Sequence, residues 1–535
     1  MSSKSFLKGA AILGAAGILV KIMGAFFRIP LGIIIGSEGL GYYQSSYPIY
    51  VLLLVISTAG IPTAISKLVA ERNAMGDRYG AHRVFKVSFS LLLVVGIVTS
   101  SMMFFGAGVL TRIIKNPGAY YSILAIAPAL LFVPIMAAYR GYFQGLQDMV
   151  PTAISQILEQ FGRTVVGLVL AMILFKQSTE YAAAGASFGA AAGAITGAMM
   201  IIYIYYKKRK NILLQINNCG KFKQESSSTI VYKILAIAIP ITIGAAILPI
   251  MNMIDAALVM RRLQIIGYTI KESNQLYGQL TGMAAPLINL PQVITVALAM
   301  SLVPAISDAN QRKDINGMKT TIQTGTRITM LIGLPAAVGL VTLAKPIMLL
   351  LYSNRLEEAI SAASILSILG VGVIFLTLVQ TFTAILQGLG KPIIPVRNLF
   401  IGALFKIAMT YFLTSIPSIN VKGAALGTVT TYAVAAILNF IEVKRITKTE
   451  FSIVNFVIKP FIAVGAMAIS VLYIYSSISM RLGNKMSTVI AVAVGGTIYG
   501  LMLLATGAIT KDDFDMLPGG KKLVKILSMM GLLRK

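Results

Sequence analysis

The sequence predicts an all-α polytopic membrane protein of about fourteen transmembrane helices. They form two six-helix lobes related by a parallel repeat, plus two further helices at the C-terminus. Three observations predict this fold. Of 535 residues, 57% are hydrophobic and 12% charged, with a mean hydropathy of +0.82, and a soluble domain carries about twice that charge. Apolar runs of bilayer-spanning length, ~20 residues in a helix, follow one another along the whole chain. Finally, unlike motifs recur at nearly the same offset.

Read between turn signals, the runs lie near 6–36, 43–66, 88–111, 119–143, 150–175, 181–206, 231–258, 277–305, 321–344, 358–387, 393–416, 420–443, 453–477 and 486–509. The first follows a short basic start without a small-residue cleavage site, so it is expected to be retained as a helix. A net charge of +28 would suit nucleic acid if it formed one patch. With both termini cytoplasmic, however, most lysines and arginines fall in inner loops and tails, as the positive-inside rule requires. The surplus therefore reads as orientation and contact with anionic membrane lipids, with no nucleic-acid partner. The lone Cys219 sits in the polar insert, which excludes a disulfide framework or a cysteine metal cluster. The lone His82 reads as a solvated residue of the basic loop after span two.

Gln144-Gly145-Leu146 recurs as Gln387-Gly388-Leu389, 243 residues on, and Pro62-Thr63-Ala64-Ile65-Ser66 echoes Pro304-Ala305-Ile306-Ser307, with the prolines 242 apart. Two unlike motifs with shifts that agree to within one residue define two halves. The expected organisation is an N-terminal lobe 1–206, a basic cytoplasmic linker 207–230, a C-terminal lobe 231–444, and 445–535 as helices thirteen and fourteen with a basic tail. Six spans per half make the repeats parallel, an arrangement that places a transport site between them. The ladder Gly185, Gly189, Gly193, Gly197 and its echo Gly423, Gly427 predict close helix packing and no chemistry. Prolines in spans one, two, four, seven and eight predict bends.

Charge inside the spans carries the functional reading. Lys21 and Arg28 lie seven residues apart in span one, hence on one face, with no acid in that span. A cation at a helix centre costs roughly 2.5–3.5 kcal/mol on insertion scales, so such groups mark function by default. Span five carries Glu159 and Arg163, whose i,i+4 spacing predicts a helical ion pair. Span seven carries Asn252 and Asp255, and span eleven Lys406; Arg163 and Lys406 again differ by 243. Lys21, Arg28, Arg163 and Lys406 thus form a basic wall suited to a diphosphate. Glu159, Asp255 and Asn252 are left for coupling or a structural ion pair, Asp255 binding a cation or proton or else bridging to Lys406. No nucleotide loop, paired histidines or acidic outer-loop cluster is present, so no enzyme is expected. No cofactor is expected, and the driving force would be Na⁺, H⁺ or the membrane potential.

The segment Tyr277 to Ala309, with Pro62 to Asp77 and Ile385 to Pro395, closely resembles the stage V sporulation protein B family. That family is similar to the MurJ lipid II flippases of the multidrug/oligosaccharidyl-lipid/polysaccharide exporter superfamily, which have fourteen helices in two lobes, the last two appended. The resemblance covers essentially the whole chain. It implies a multi-pass protein of the bacterial cytoplasmic membrane, working as a monomer without being an enzyme. Its cargo would be an undecaprenyl-diphosphate-linked sugar, most simply a peptidoglycan precursor of the lipid II type, moved by alternating access. The flippase first-helix pattern maps onto Lys21, Gly24 and Arg28 with one extra residue of spacing, and lysine replaces arginine. The eighth-helix motif ends at Leu290-Pro291, but Pro286 and Leu287 stand where those flippases place a base. The alternatives are a flippase for another lipid-linked polysaccharide precursor, a cation-coupled multidrug exporter, which would want acids in span one, and a non-transporting scaffold.

Overall fold

The computed structural model describes residues 3–217, 222, 224–452 and 454–509. Cys219 and the basic tail from residue 510 lie outside the described residues. The chain divides into two compact units, 1–278 and 279–535. The first contains α1 (Ser3–Thr58), α2 (Ile61–Ala74), α3 (Arg78–Phe105), α4 (Ala107–Ile113), α5 (Tyr120–Ile126), α6 (Ala129–Gly145), α7 (Val150–Leu174), α8 (Thr179–Asn217), α9 (Ser227–Ile265) and α10 (Ile270–Gly278). The second contains α11 (Ala285–Ile288), α12 (Leu290–Gln311), α13 (Ile315–Thr342), α14 (Ala344–Leu351), α15 (Leu356–Gly388), α16 (Ile393–Leu413), α17 (Lys422–Thr447) and α18 (Lys459–Thr506).

Twelve helical stretches among the described residues are long and apolar enough to cross a membrane. Two of them fold back on themselves, which brings the twelve to the fourteen expected. Helix α1 breaks at Gly36 (φ 66°, ψ −175°). The Phe27 and Tyr43 rings then meet at 6.2 Å, whereas sixteen residues of straight helix would span ~24 Å. Helix α18 breaks at Gly483 (φ 70°, ψ 169°). Across that turn the Tyr475 hydroxyl donates to Asn484 Oδ1 at 2.8 Å, and Lys459 Nζ donates to the Gly507 carbonyl at 3.2 Å.

Several expected spans are interrupted where backbone donors are missing. Span two is the second arm of α1 and the start of α2, broken at Ala59–Gly60 just before Pro62. Span four divides at Pro128 into α5 and α6. Span eight becomes a π-helical turn, Gln279–Ala284, then α11 and α12, with Pro286 and Pro291 at the first turns of the two helices, where a missing N–H costs nothing.

The repeat is visible in the turns. After α6 the Gln147 amide donates to the Gln144 carbonyl and the Asp148 amide to Phe143, both at 2.9 Å; after α15 the Gly390 and Lys391 amides do the same to Gln387 and Leu386, again at 2.9 Å. Gln147 (φ 61°) and Gly390 (φ 75°) both take the left-handed conformation there. Asp77 caps α3 by accepting from the Gly80 amide, and Asp314 caps α13 by accepting from the Gly317 amide.

Packing and repeat draw different boundaries. The repeat assigns the seventh span to the C-terminal lobe, but its helix α9 packs in the first unit. Ile230, Ile234 and Ala238 join the core of Ile65, Val69, Val84 and Met136, and Gly60 lies against the Ala238 backbone. The first unit therefore extends past 206. The linker is also shorter than its polarity implies, because α8 continues through Lys207–Lys210 to Asn217. Its far end is tied down: Arg83 donates to Gln224 at 2.8 Å, and Glu225 bridges to Arg72 (2.8 Å) and Lys233 (2.7 Å).

Candidate functional site

The site begins on the first arm of α1. One side packs on α7: a Cβ added at Gly24 would meet Gln160 Nε2 at 3.8 Å, and one at Gly167 would meet the Phe27 ring at 3.0 Å. A second side is apolar and exposed, carrying Leu19, Ile22, Phe26 and Ile33. At ~100° per residue, Lys21 and Arg28 share a third side that lies between these two. Lys21 is exposed and Arg28 half-buried. No carboxylate among the described residues pairs with either. The cationic stripe is thus separate both from the exposed apolar side and from the helix contact.

Helix α7 brings the second group. The expected ion pair between Glu159 and Arg163 does not form. Glu159 accepts instead from Arg140 Nη2 of α6 at 2.9 Å, and Arg140 Nε donates to Ser155 Oγ at 2.9 Å. The side chains of Arg140 and Glu159 are only 15% and 20% exposed. A desolvated guanidinium reaching across from a neighbouring helix outcompetes a local i,i+4 partner, because its fork can serve the acid and Ser155 together. Arg140 was absent from the sequence-based set; its position four residues before Gln144 in span four was the available signal.

Arg163 is left facing tyrosines. Tyr43, Tyr47 and Tyr50 form a row on the second arm of α1, with successive rings 5.9 and 5.8 Å apart, and all three lie within electrostatic range of Arg163. Tyr43 is also within range of Arg28, so the hairpin at Gly36 brings Arg28 and Arg163 to a shared neighbour. Among the described residues, Arg163 Nε and the Tyr50 hydroxyl are buried without a hydrogen-bond partner. The four- and three-residue spacing of these tyrosines already put them on one helix face.

Arg163 and Lys406 occupy matching places in their helix pairs. A Cβ added at Gly189 would lie 2.6 Å from the Arg163 carbonyl oxygen, and one at Gly427 would lie 3.1 Å from that of Lys406. The ladder continues along α7, with Gly185 against Leu170, Gly193 against the Glu159 carbonyl and Gly197 against that of Ser155. These glycines set the depth of the helix carrying Glu159 and Arg163. Asn252 is exposed and Asp255 half-buried on α9, in the first unit; Lys406 is half-buried on α16, in the second.

His82 is not in a solvated loop. Helix α3 starts ten residues earlier than its apolar run, and His82 is 6% exposed, its ring 5.7 Å from Phe85 and 5.9 Å from Tyr142. No cluster of three or more metal-ligating side chains occurs among the described residues.

Comparison with known proteins then places the chain. It belongs to the polysaccharide biosynthesis protein family, whose profile matches residues 6–310; the MatE profile matches residues 281–412. Over 519 residues it is 28% identical to stage V sporulation protein B of Bacillus subtilis (strain 168), covering 97% of this chain and 98% of the relative. Over 541 residues it is 29% identical to the lipid II flippase MurJ of the same organism, covering 97% and 98%. Among solved structures, an inward-facing multidrug resistance MATE transporter of the MOP superfamily aligns with TM-score 0.68 at 17% identity, covering 81% of this chain and 98% of that one. The inward closed form of a lipid II flippase MurJ aligns with TM-score 0.67 at 15% identity, covering 92% and 98%. The fold is that of these proteins, and the chain is a multi-pass membrane protein.

Proposed function

We propose that this protein is a flippase that exports an undecaprenyl-diphosphate-linked sugar, most simply a peptidoglycan precursor of the lipid II type, across the bacterial cytoplasmic membrane by alternating access. The observation that carries the reading is the unpaired stripe of Lys21 and Arg28 on a side of α1 distinct from its exposed apolar side. Two cations held at membrane depth without carboxylates suit a ligand that brings its own negative charge, and a diphosphate offers several oxygens to them. Arg163, which shares the charge of Glu159 with Arg140, adds a third cation that has Tyr43 as a common neighbour with Arg28, and Lys406 stands at the matching place in the second unit. A cation-coupled multidrug exporter shares the fold, but it would need acids where Lys21 and Arg28 stand. Asp255 and Asn252 are assigned to coupling, with Na⁺ or H⁺ as the coupled ion.

The test is translocation of a fluorescent lipid-linked disaccharide in vesicles containing Lys21→Ala or Arg28→Ala protein. Both variants should insert at normal abundance and lose transport by at least about tenfold, since a hydrogen bond to a charged group is worth about 1.5–3 kcal/mol. Undiminished transport by both would overturn the assignment.

A further inference from the structure

A second cationic site lies outside the machinery described above. A recess of about 330 Å³ opens among α3, α6 and α8, floored by Phe85, Tyr139 and Tyr205 and rimmed by Lys86, Ser90 and Arg209. The floor is rigid, since its three rings stand 5.0–5.3 Å apart in every pairing. Tyr139 and Tyr205 are each 8% exposed, and among the described residues neither hydroxyl has a hydrogen-bond partner. The rim cations have no carboxylate partner among the described residues either; the Arg209 guanidinium instead lies 5.7 Å over the Tyr206 ring. Phenol donors lining the floor and uncompensated positive charge on the rim describe a site shaped for an anion.

Its place in the chain says which anion. Arg209 follows the apolar run of α8 within the basic stretch Lys207–Lys210, and Lys86 is the last base before the apolar run of α3. The recess therefore sits where membrane-buried helix gives way to basic surface. At ~100° per residue, Lys86, Ser90, Val94 and Ile97 share one face of α3, and Val94 and Ile97 are 59% and 50% exposed. Below the cations, that face continues as open apolar surface along which acyl chains can lie. We propose that this recess binds the phosphate of an anionic phospholipid headgroup, with Lys86 and Arg209 pairing with the phosphate and the Tyr139 and Tyr205 hydroxyls donating to its oxygens.

Native mass spectrometry of the purified full-length protein, titrated with phosphatidylglycerol, phosphatidylcholine or inorganic phosphate, tests this. Wild type should retain phosphatidylglycerol in preference to phosphatidylcholine. The double variant Lys86→Gln/Arg209→Gln should lose about 30-fold in phosphatidylglycerol affinity, at about 1 kcal/mol per cation. Lys313→Gln/Lys391→Gln, which removes two exposed charges of the second unit, should stay within about threefold of wild type. Tyr139→Phe/Tyr205→Phe, which deletes only the hydroxyls, should weaken phosphatidylglycerol binding several-fold with an unchanged melting temperature. Equal affinity in the Lys86/Arg209 variant, or an equal loss in the Lys313/Lys391 control, would overturn the proposal. So would displacement of the lipid by inorganic phosphate at matched concentration, which would mark a soluble-anion site.

Discussion

The Arg140 guanidinium stands 2.9 Å from the Glu159 carboxylate, joining α6 to α7 inside the first unit. That pairing shapes the electrostatics of the neighbourhood, because Glu159 makes its direct contact with Arg140 and acts on Arg163 only at longer range. A double-mutant cycle on Arg140→Gln and Glu159→Gln should give a coupling of about 0.5–3 kcal/mol in thermal unfolding. The same cycle on Arg163 and Glu159 should give a smaller coupling, since the two interact without a direct contact. A larger coupling for the second pair would restore the local helical ion pair.

The glycine ladder makes a prediction that differs between the two units. A Cβ at Gly193 would lie 2.4 Å from the Glu159 carbonyl oxygen, a backbone atom, whereas at Gly427 the nearest atom is the Thr410 hydroxyl at 2.9 Å. Gly193→Ala should destabilise by about 1–3 kcal/mol through overpacking, more than the ~1 kcal/mol that alanine gains in helix propensity. Gly427→Ala should cost less, since a side chain can turn away. Melting curves in detergent, compared side by side, give the ranking.

At Gly483 the cost of a side chain is purely conformational. Nothing lies within 4 Å of an added Cβ there, yet the backbone holds φ 70° and ψ 169°, a region almost closed to other residues. Gly483→Ala should therefore lower stability by about 1–3 kcal/mol without any clash. An unchanged melting temperature would mean that α18 does not turn in this conformation.

The linker attachment carries a pH dependence. The hydrogen bond from Lys233, and then the charge of Arg72, hold Glu225 below the usual carboxylate range. A carboxylate whose folded value is depressed contributes its stabilisation above the unfolded value, about 4.3. That contribution fades as pH falls through the lower folded value. Hydrogen exchange of residues 224–229 should thus stay slow from neutral pH down through the ordinary glutamate range and rise only below it. Glu225→Gln should raise exchange there already at neutral pH.

Hydropathy and spacing revealed the helices well, because membrane-spanning runs announce themselves by length alone. The two sharp turns were also legible: one falls at Gly36, where the first run ends, and the other at Gly483, in the short gap between the last two runs. What could not be read was tertiary competition. Local spacing offered Arg163 to Glu159, and only the folded chain shows that Arg140 arrives from another helix. The sequence repeat marked the halves of the chain, but not that α9 would pack against α2 through Gly60 and Ala238. His82 looked like a loop residue because Arg83 and Lys86 break the apolar run, although the Asp77 cap starts the helix well before it. The tyrosine row was in plain view at Tyr43, Tyr47 and Tyr50; its importance appears only when the Gly36 turn carries it to Arg28 and Arg163.

The central claim is that unpaired cations on α1 receive pyrophosphate, and a binding titration reaches it without depending on transport. Purified protein titrated with undecaprenyl diphosphate should bind about 10–100-fold more tightly than either Lys21→Ala or Arg28→Ala protein. Lys21→Arg should keep most of the affinity, because the charge and its hydrogen-bond donors remain. Equal affinities across wild type and both alanine variants would contradict the account.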